Sequence, residues 1–174
     1  MELTLSDLIK AATFVGNPEL KKDYDKTRNL INYLVNSFDF VQPDLVAGRG
    51  GKQMRFSLPE AQLILIAAYL CQKYRVKPEM TEQVVLDLRT KPSFLDSALH
   101  VASSRDSAEN LVGYKVPRPE FDVWIIDIGE DGLLKVVNAD YSPGVRTGAL
   151  AEGGILIHVD MIFRRLAKVI KDKE

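Results

Sequence analysis

One cysteine, Cys71, and two histidines, His100 and His158, are all that the 174 residues offer of the side chains that most often bind metal or attack substrates. A single cysteine excludes a disulfide within the chain and any zinc site of the CxxC type. Cys71 lies inside the apolar pattern LILIAAYLCQKY, which reads it as a small buried hydrophobe. The histidines stand far apart, and neither has a serine, cysteine or carboxylate around it in a known nucleophile or metal pattern. Asp122, Asp127, Glu130 and Asp131 are a second possible metal set, but Glu130 and Asp131 are ordinary hairpin-turn residues. The reading is therefore of a protein without cofactor and without an active site.

Long apolar runs are also lacking. The longest, Leu63 to Leu70, falls far short of the roughly 20 residues a membrane span requires. The N-terminal MELTLSDLIK has no continuous apolar core of the kind a signal peptide carries. The expectation is a cytoplasmic protein with no membrane partner. An excess of charge of either sign is missing too. The net charge of −1 argues against a surface that coats nucleic acid everywhere, yet leaves room for a local basic patch. No internal repeat or low-complexity tract is visible.

What the chain does contain is an ordered series of helix and strand signals. Residues 4–13, TLSDLIKAAT, read as a short helix capped by Thr4 or Ser6, with Leu8, Ile9, Ala12 and Phe14 on one stripe. Asn17-Pro18 reads as the start of a second helix, which ends near Ser37. Leu20, Tyr24, Thr27, Ile31, Leu34, Val35 and Phe38 line one face of it, and Lys22, Lys26, Asn29, Tyr33 and Asn36 the other. A β-hairpin follows, with Asp44–Ala47 and Gln53–Phe56 as its arms. Ser57-Leu58-Pro59-Glu60 then opens a helix over Pro59–Tyr74 with a serine cap, an early proline and a glutamate three residues on. That helix is apolar nearly all round, which reads as a core helix or a subunit interface.

Pro78–Leu88 and Phe94–Val101 read as further helices, followed by a polar linker ending at Val116-Pro117-Arg118-Pro119. FDVWIIDIGEDGLLKVVNAD reads as a hairpin turning at Glu130-Asp131-Gly132, and ILIHV as a third strand. Asp160 reads as the cap of a final helix, Met161–Ile170. The fold class is α+β: a winged helix-turn-helix unit over 1–76, a helical linker over 77–115, and a small C-terminal unit over 116–174. That last unit would hold an antiparallel β-sheet and a terminal helix, and serve dimerisation or sensing.

The stretch AGRGGKQMRFSL concentrates three glycines, two arginines and a lysine between Gly48 and Phe56. A nucleotide-binding loop of the form GxxxxGK[ST] is excluded, because Val46 stands where its first glycine belongs and Gln53 where its hydroxyl belongs. As the tip of a wing the same residues make physical sense. Glycines let the backbone approach a sugar-phosphate chain, and Arg49 and Lys52 neutralise phosphates. Arg55 would point outward from the return arm while Met54 and Phe56 pin it to the core. In the second helix, the cationic face with Lys22, Lys26, Arg28 and Asn29 is either a nucleic-acid contact or a solvated surface, and Asp23 and Asp25 beside it weigh toward the latter.

The run TLSDLIKAA, then TRNLINYLVN, then GRGGKQMRFSLPEAQLILIAAYL resembles the MerR-type winged-helix DNA-binding domain. Thr27-Arg28-Asn29-Leu30 is similar to that family's recognition-helix motif. Arg55-Phe56-Ser57 with Glu60-Ala61 is similar to its wing exit. The resemblance spans about residues 3–75, and FDVWIID to HVDMIFRRLAKV is similar to the hairpin and helix of a subset of bacterial MerR-like regulators. It implies a transcriptional regulator that binds double-stranded DNA as a homodimer. Arg28 and Asn29 would contact bases or phosphates in the major groove, Lys22 and Lys26 the backbone, and Arg49, Lys52 and Arg55 the phosphates beside the wing. Pro59–Tyr74 and the C-terminal sheet would be the dimer surfaces. The chain departs from the family in three respects. Phe14–Lys26 separates the first helix from TRNL, by an extended helix or an insertion; no long dimerising coiled coil is evident; and the cysteines of metal-sensing members are missing. The alternative reading is a protein-interaction or ligand-sensing module that uses a winged helix without DNA.

Overall fold

The computed structural model of the protein describes residues 2–39, 41–48, 51–90, 95, 96, 99, 100, 103, 123–128, 134–138 and 155–173. The chain divides into two units, Met1–Val85 and Leu86–Glu174. The first is mixed helix and sheet, in the order β1 (Leu3–Thr4), α1 (Leu5–Ala12), α2 (Lys21–Ser37), β2 (Asp44–Gly48), β3 (Gly51–Phe56), α3 (Leu58–Tyr74), with α4 (Pro78–Arg89) beginning in it.

Of the two caps the sequence offers for α1, Thr4 and Ser6, the helix takes Thr4. Its backbone N–H donates to Asp7 Oδ2 at 2.8 Å, and the Asp7 N–H donates to Thr4 Oγ1 at 3.2 Å. This reciprocal pair satisfies donors that a helix N-terminus leaves open. Thr4 has a second role that sequence patterning misses. With Leu3 it forms β1, which pairs antiparallel with β3 in the register Leu3↔Phe56 and Thr4↔Arg55. Leu3 and Phe56 are both fully buried. Burying a leucine stabilises by about 1.5–3 kcal/mol, a contribution of the same size as a two-pair ladder at about 0.5–1.5 kcal/mol per hydrogen bond. Packing of Leu3 and pairing with β3 hold this strand together.

β2 and β3 form the expected hairpin, one residue longer on the first arm and two on the second. Their register runs from Asp44↔Arg55 to Gly48↔Gly51, with residues 49 and 50 between the arms. The sheet order is β1-β3-β2, so β3 lies in the middle. Ser57 and Glu60 cap α3: the Ser57 N–H donates to Glu60 Oε2 at 2.8 Å. The other carboxylate oxygen of Glu60 accepts from the Gln42 N–H at 2.9 Å, which ties the approach to β2 onto the start of α3.

In α3 every residue from Ala61 to Ala68 is buried, together with Leu70. Leu8 and Ile9 of α1, Ile31 and Leu34 of α2, and Ile64, Leu65 and Ile66 of α3 make up the rest of the centre. The apolar circumference of α3 is consumed within one chain. Of the two readings of its sequence, core helix holds, and its middle offers no free surface for dimerisation.

The start of α2 differs from the sequence reading. Asn17-Pro18 does not open α2. The Asn17 carbonyl and side-chain oxygens accept from Leu20 N–H and Glu19 N–H, each at 3.0 Å, and close a separate turn. α2 begins only at Lys21, after Leu20, which makes no side-chain cap. Leu20 itself, placed on the apolar stripe by spacing, is 58% exposed.

In the second unit, β4 (Val123–Ile128) lies between β5 (Leu134–Asn138) and β6 (Ile155–His158), all antiparallel, in the order β5-β4-β6. A terminal helix, α5 (Val159–Lys171), follows β6 directly. It starts ahead of Asp160, so that residue falls in the first turn and not at the cap. Ile162, Phe163, Leu166 and Ala167 are its buried stripe. The turn at Glu130-Asp131-Gly132, the linker to Val116-Pro117 and most of the 94–101 helix lie outside the described residues; Leu95 and Leu99 of the last are buried. Among the described residues no helix is long and apolar enough to cross a membrane.

Candidate nucleic-acid interface

α2 sorts its side chains by angle. At 3.6 residues per turn, neighbours stand about 100° apart, so positions 22, 26, 29, 33 and 36 share one stripe and 27, 31, 34 the opposite one. Thr27, Ile31, Leu34 and Val35 are buried, while Lys22, Lys26, Asn29, Tyr33 and Asn36 are all exposed. Inside the TRNL motif the division is sharp. The buried Thr13 hydroxyl donates to the Ile9 carbonyl at 2.7 Å, and its oxygen accepts from the Thr27 hydroxyl at 3.2 Å. Arg28 and Asn29 face solvent. Arg28 lies about 100° round the helix from Asn29, on a flank shared with the exposed Lys21.

The segment before α2 is fixed by one carboxylate. Asp23 Oδ2 accepts from the Asn17 N–H at 2.9 Å. Gly16, with φ +95°, turns the chain tightly there, and any Cβ at that position would strike the Asp23 carboxylate. Asp23 is thus occupied with the loop at residues 13–20, and its charge is partly engaged by a backbone donor. The long separation between the first helix and TRNL is a loop, followed by a helix whose second turn carries the motif.

In the hairpin, Lys52 is exposed and stands opposite Ala47, one pair away from Gly48↔Gly51. Gly51 has φ +113°, a conformation that glycine adopts without steric cost. Arg49 lies outside the described residues. Arg55 differs from its sequence reading. It sits on the central strand between Thr4 and Asp44, is half-buried, and its Nε is enclosed without a hydrogen-bond partner among the described residues. The alternation of Met54, Arg55 and Phe56 would have aimed Arg55 outward. It lies beside β1, a strand that the sequence pattern does not show.

Tyr33, on the exposed stripe, donates its hydroxyl proton to the Glu79 carboxylate in the first turn of α4. This bond holds the Tyr33 phenol above its ordinary pKa and Glu79 below its own, because it favours protonated phenol and ionised carboxylate. The Lys77 charge acts on Glu79 in the same direction. Burial, and to a lesser degree the Glu79 charge, push the half-buried Cys71 thiol up to about 11. A protonated thiol is a poor nucleophile and a poor metal ligand.

The structure thus gathers Lys22, Lys26 and Asn29 on one face, sets Arg28 on its flank, and carries Lys52 on a separate hairpin of the same unit. Sequence reasoning missed Glu79 as a neighbour of that face, since nothing in the local pattern around PEMTEQ links it to Tyr33. Among the described residues no group of three or more His, Cys, Asp or Glu side chains is placed to hold a metal ion. No family model matches the chain, and no curated protein matches it in sequence.

Proposed function

We propose that the first unit is a winged helix-turn-helix of MerR-like type that binds double-stranded DNA, and that the protein is a transcriptional regulator acting as a homodimer. The observation that carries this reading is the exposed face of α2, Lys22–Lys26–Asn29, set directly opposite the buried Thr27–Ile31–Leu34 face. A helix anchored along one side and cationic along the other is what major-groove docking requires. The hairpin supports it. The β1-β3-β2 order and the glycine pair at the end of the ladder give a wing with Lys52 near its tip. Arg49, next to that glycine pair in sequence, belongs to the same phosphate-binding set, and Arg55 supports the wing from its base. Lys22 and Lys26 bind backbone phosphates, Asn29 reaches base edges, and Arg28 grips the backbone at the flank. Two copies double a basic footprint that a chain of net charge −1 otherwise keeps small.

The test is fluorescence anisotropy with a labelled generic duplex at low and moderate salt, using wild type and Lys22→Ala/Lys26→Ala. Tight, salt-sensitive binding that weakens in the double variant supports the reading. Absence of duplex binding by the wild type at low salt overturns it and favours a protein-interaction module on the same fold.

A further inference from the structure

The exposed face of α2 contains one polar group already engaged with an anion: the Tyr33 hydroxyl, which donates to the carboxylate of Glu79. Tyr33 is 45% exposed and lies on the same stripe as Lys22, Lys26 and Asn29. Glu79 is also exposed, so neither desolvation nor core packing obliges the two to meet. The carboxylate offers an anionic oxygen acceptor to a phenolic donor, with the Lys77 charge acting on it as well. A backbone phosphate would present the same chemistry to the same donor.

We infer that Tyr33 is a further phosphate-binding residue of the α2 face, and that Glu79 occupies its hydroxyl in the free protein as an internal stand-in for a nucleic-acid phosphate. The inference rests on the DNA-binding reading and deepens it. When duplex approaches, the phosphate displaces the carboxylate and takes over the hydroxyl. Every encounter then carries the cost of breaking the Tyr33–Glu79 bond. That cost falls equally on all sequences, so it lowers affinity for specific and non-specific duplex alike and leaves base discrimination to Asn29 and its neighbours. Glu79 also adds a negative charge beside the stripe, and the experiment separates the two effects.

The experiment measures anisotropy with the same generic labelled duplex at low salt, for wild type, Glu79→Ala, Tyr33→Phe and the double variant, each checked for folding by circular dichroism. Removing the carboxylate should tighten binding about two- to tenfold, the range that one ordinary, solvent-exposed hydrogen bond supports. In the Tyr33→Phe background the same substitution should give a clearly smaller gain, because no donor is left to release. An equal gain in both backgrounds would mean that Glu79 acts by charge alone, and would overturn the inference with DNA binding intact. So would unchanged affinity in Glu79→Ala. Absence of binding by folded wild type and all variants would overturn the DNA reading itself, and this inference with it.

Discussion

The side-chain amide of Gln72, near the end of α3, closes the C-terminus of α1: its Nε2 donates to the Ala12 carbonyl at 2.8 Å. Its Oε1 accepts from the Phe14 N–H at 2.9 Å and the Val15 N–H at 3.1 Å. One side chain thus satisfies three backbone groups at a helix end that has no glycine cap. Phe14, held there, meets Tyr69 edge to face at a centroid distance of 5.1 Å. The loop that leads into α2 therefore starts from a fixed point on α3.

Gln72→Ala should destabilise the protein by about 1–2 kcal/mol, since it removes three hydrogen bonds at the end of α1 and leaves only the Phe14 N–H on the Ala12 carbonyl at 3.1 Å. Urea denaturation reads this directly. Gln72→Glu keeps the acceptor for Phe14 and Val15 but loses the donor to Ala12, and should fall between wild type and the alanine variant.

Gly16→Ala should cost about 1–3 kcal/mol, because it forces a Cβ into a left-handed backbone position against the Asp23 carboxylate. Asp23→Ala removes the obstacle together with the bond to Asn17. The two substitutions should therefore be non-additive in a double-mutant cycle, with the double variant less destabilised than the sum.

Ser57→Ala should cost about 1 kcal/mol through loss of the α3 cap. Glu60→Ala should cost more than an ordinary cap partner, because it also releases Gln42 and with it the entry to β2. Thermal melts of the two variants make the comparison.

Cys71 should react slowly with a thiol reagent at mildly alkaline pH in the native state, and at an ordinary cysteine rate once unfolded. The folded thiol ionises near 11 and the ordinary value is 9.0, so between these the unfolded chain has lost a proton that the native chain keeps. Stability from this group is complete below pH 9.0 and falls as pH rises towards 11. Cys71→Ser should flatten the stability profile in that window.

Under the DNA reading, the logarithm of affinity should fall linearly with the logarithm of salt concentration. Each lysine that neutralises a phosphate contributes about 0.9 to the slope. Lys22→Ala/Lys26→Ala should flatten the line, and Lys52→Ala should do so independently, because its hairpin is a separate element. An unaltered slope in Lys52→Ala would remove the wing from the interface.

Whatever depends on neighbours a few residues away is legible in the order of the residues. The capping box of Ser57 with Glu60 spans three residues, and the two faces of α2 follow from its helical period alone; for α1 the pattern left Thr4 and Ser6 as alternatives, and the bond to Asp7 selects Thr4. The hairpin was legible for the same reason: its glycines and its arms are contiguous. Tertiary structure decided the rest. Leu3–Thr4 is too short to show a strand period, and becomes β1 through the pairing of Leu3 with the buried Phe56 at the end of β3. Asn17-Pro18 carries the same signals as a helix start, and Asp23 reaching back to the Asn17 N–H goes with a turn there in its place. Gln72 on the end of α1, and Glu79 on the hydroxyl of Tyr33, join elements separated by 46 to 60 residues. No local pattern encodes such contacts, because they come from the angles at which helices pack and not from the order of side chains along any one of them.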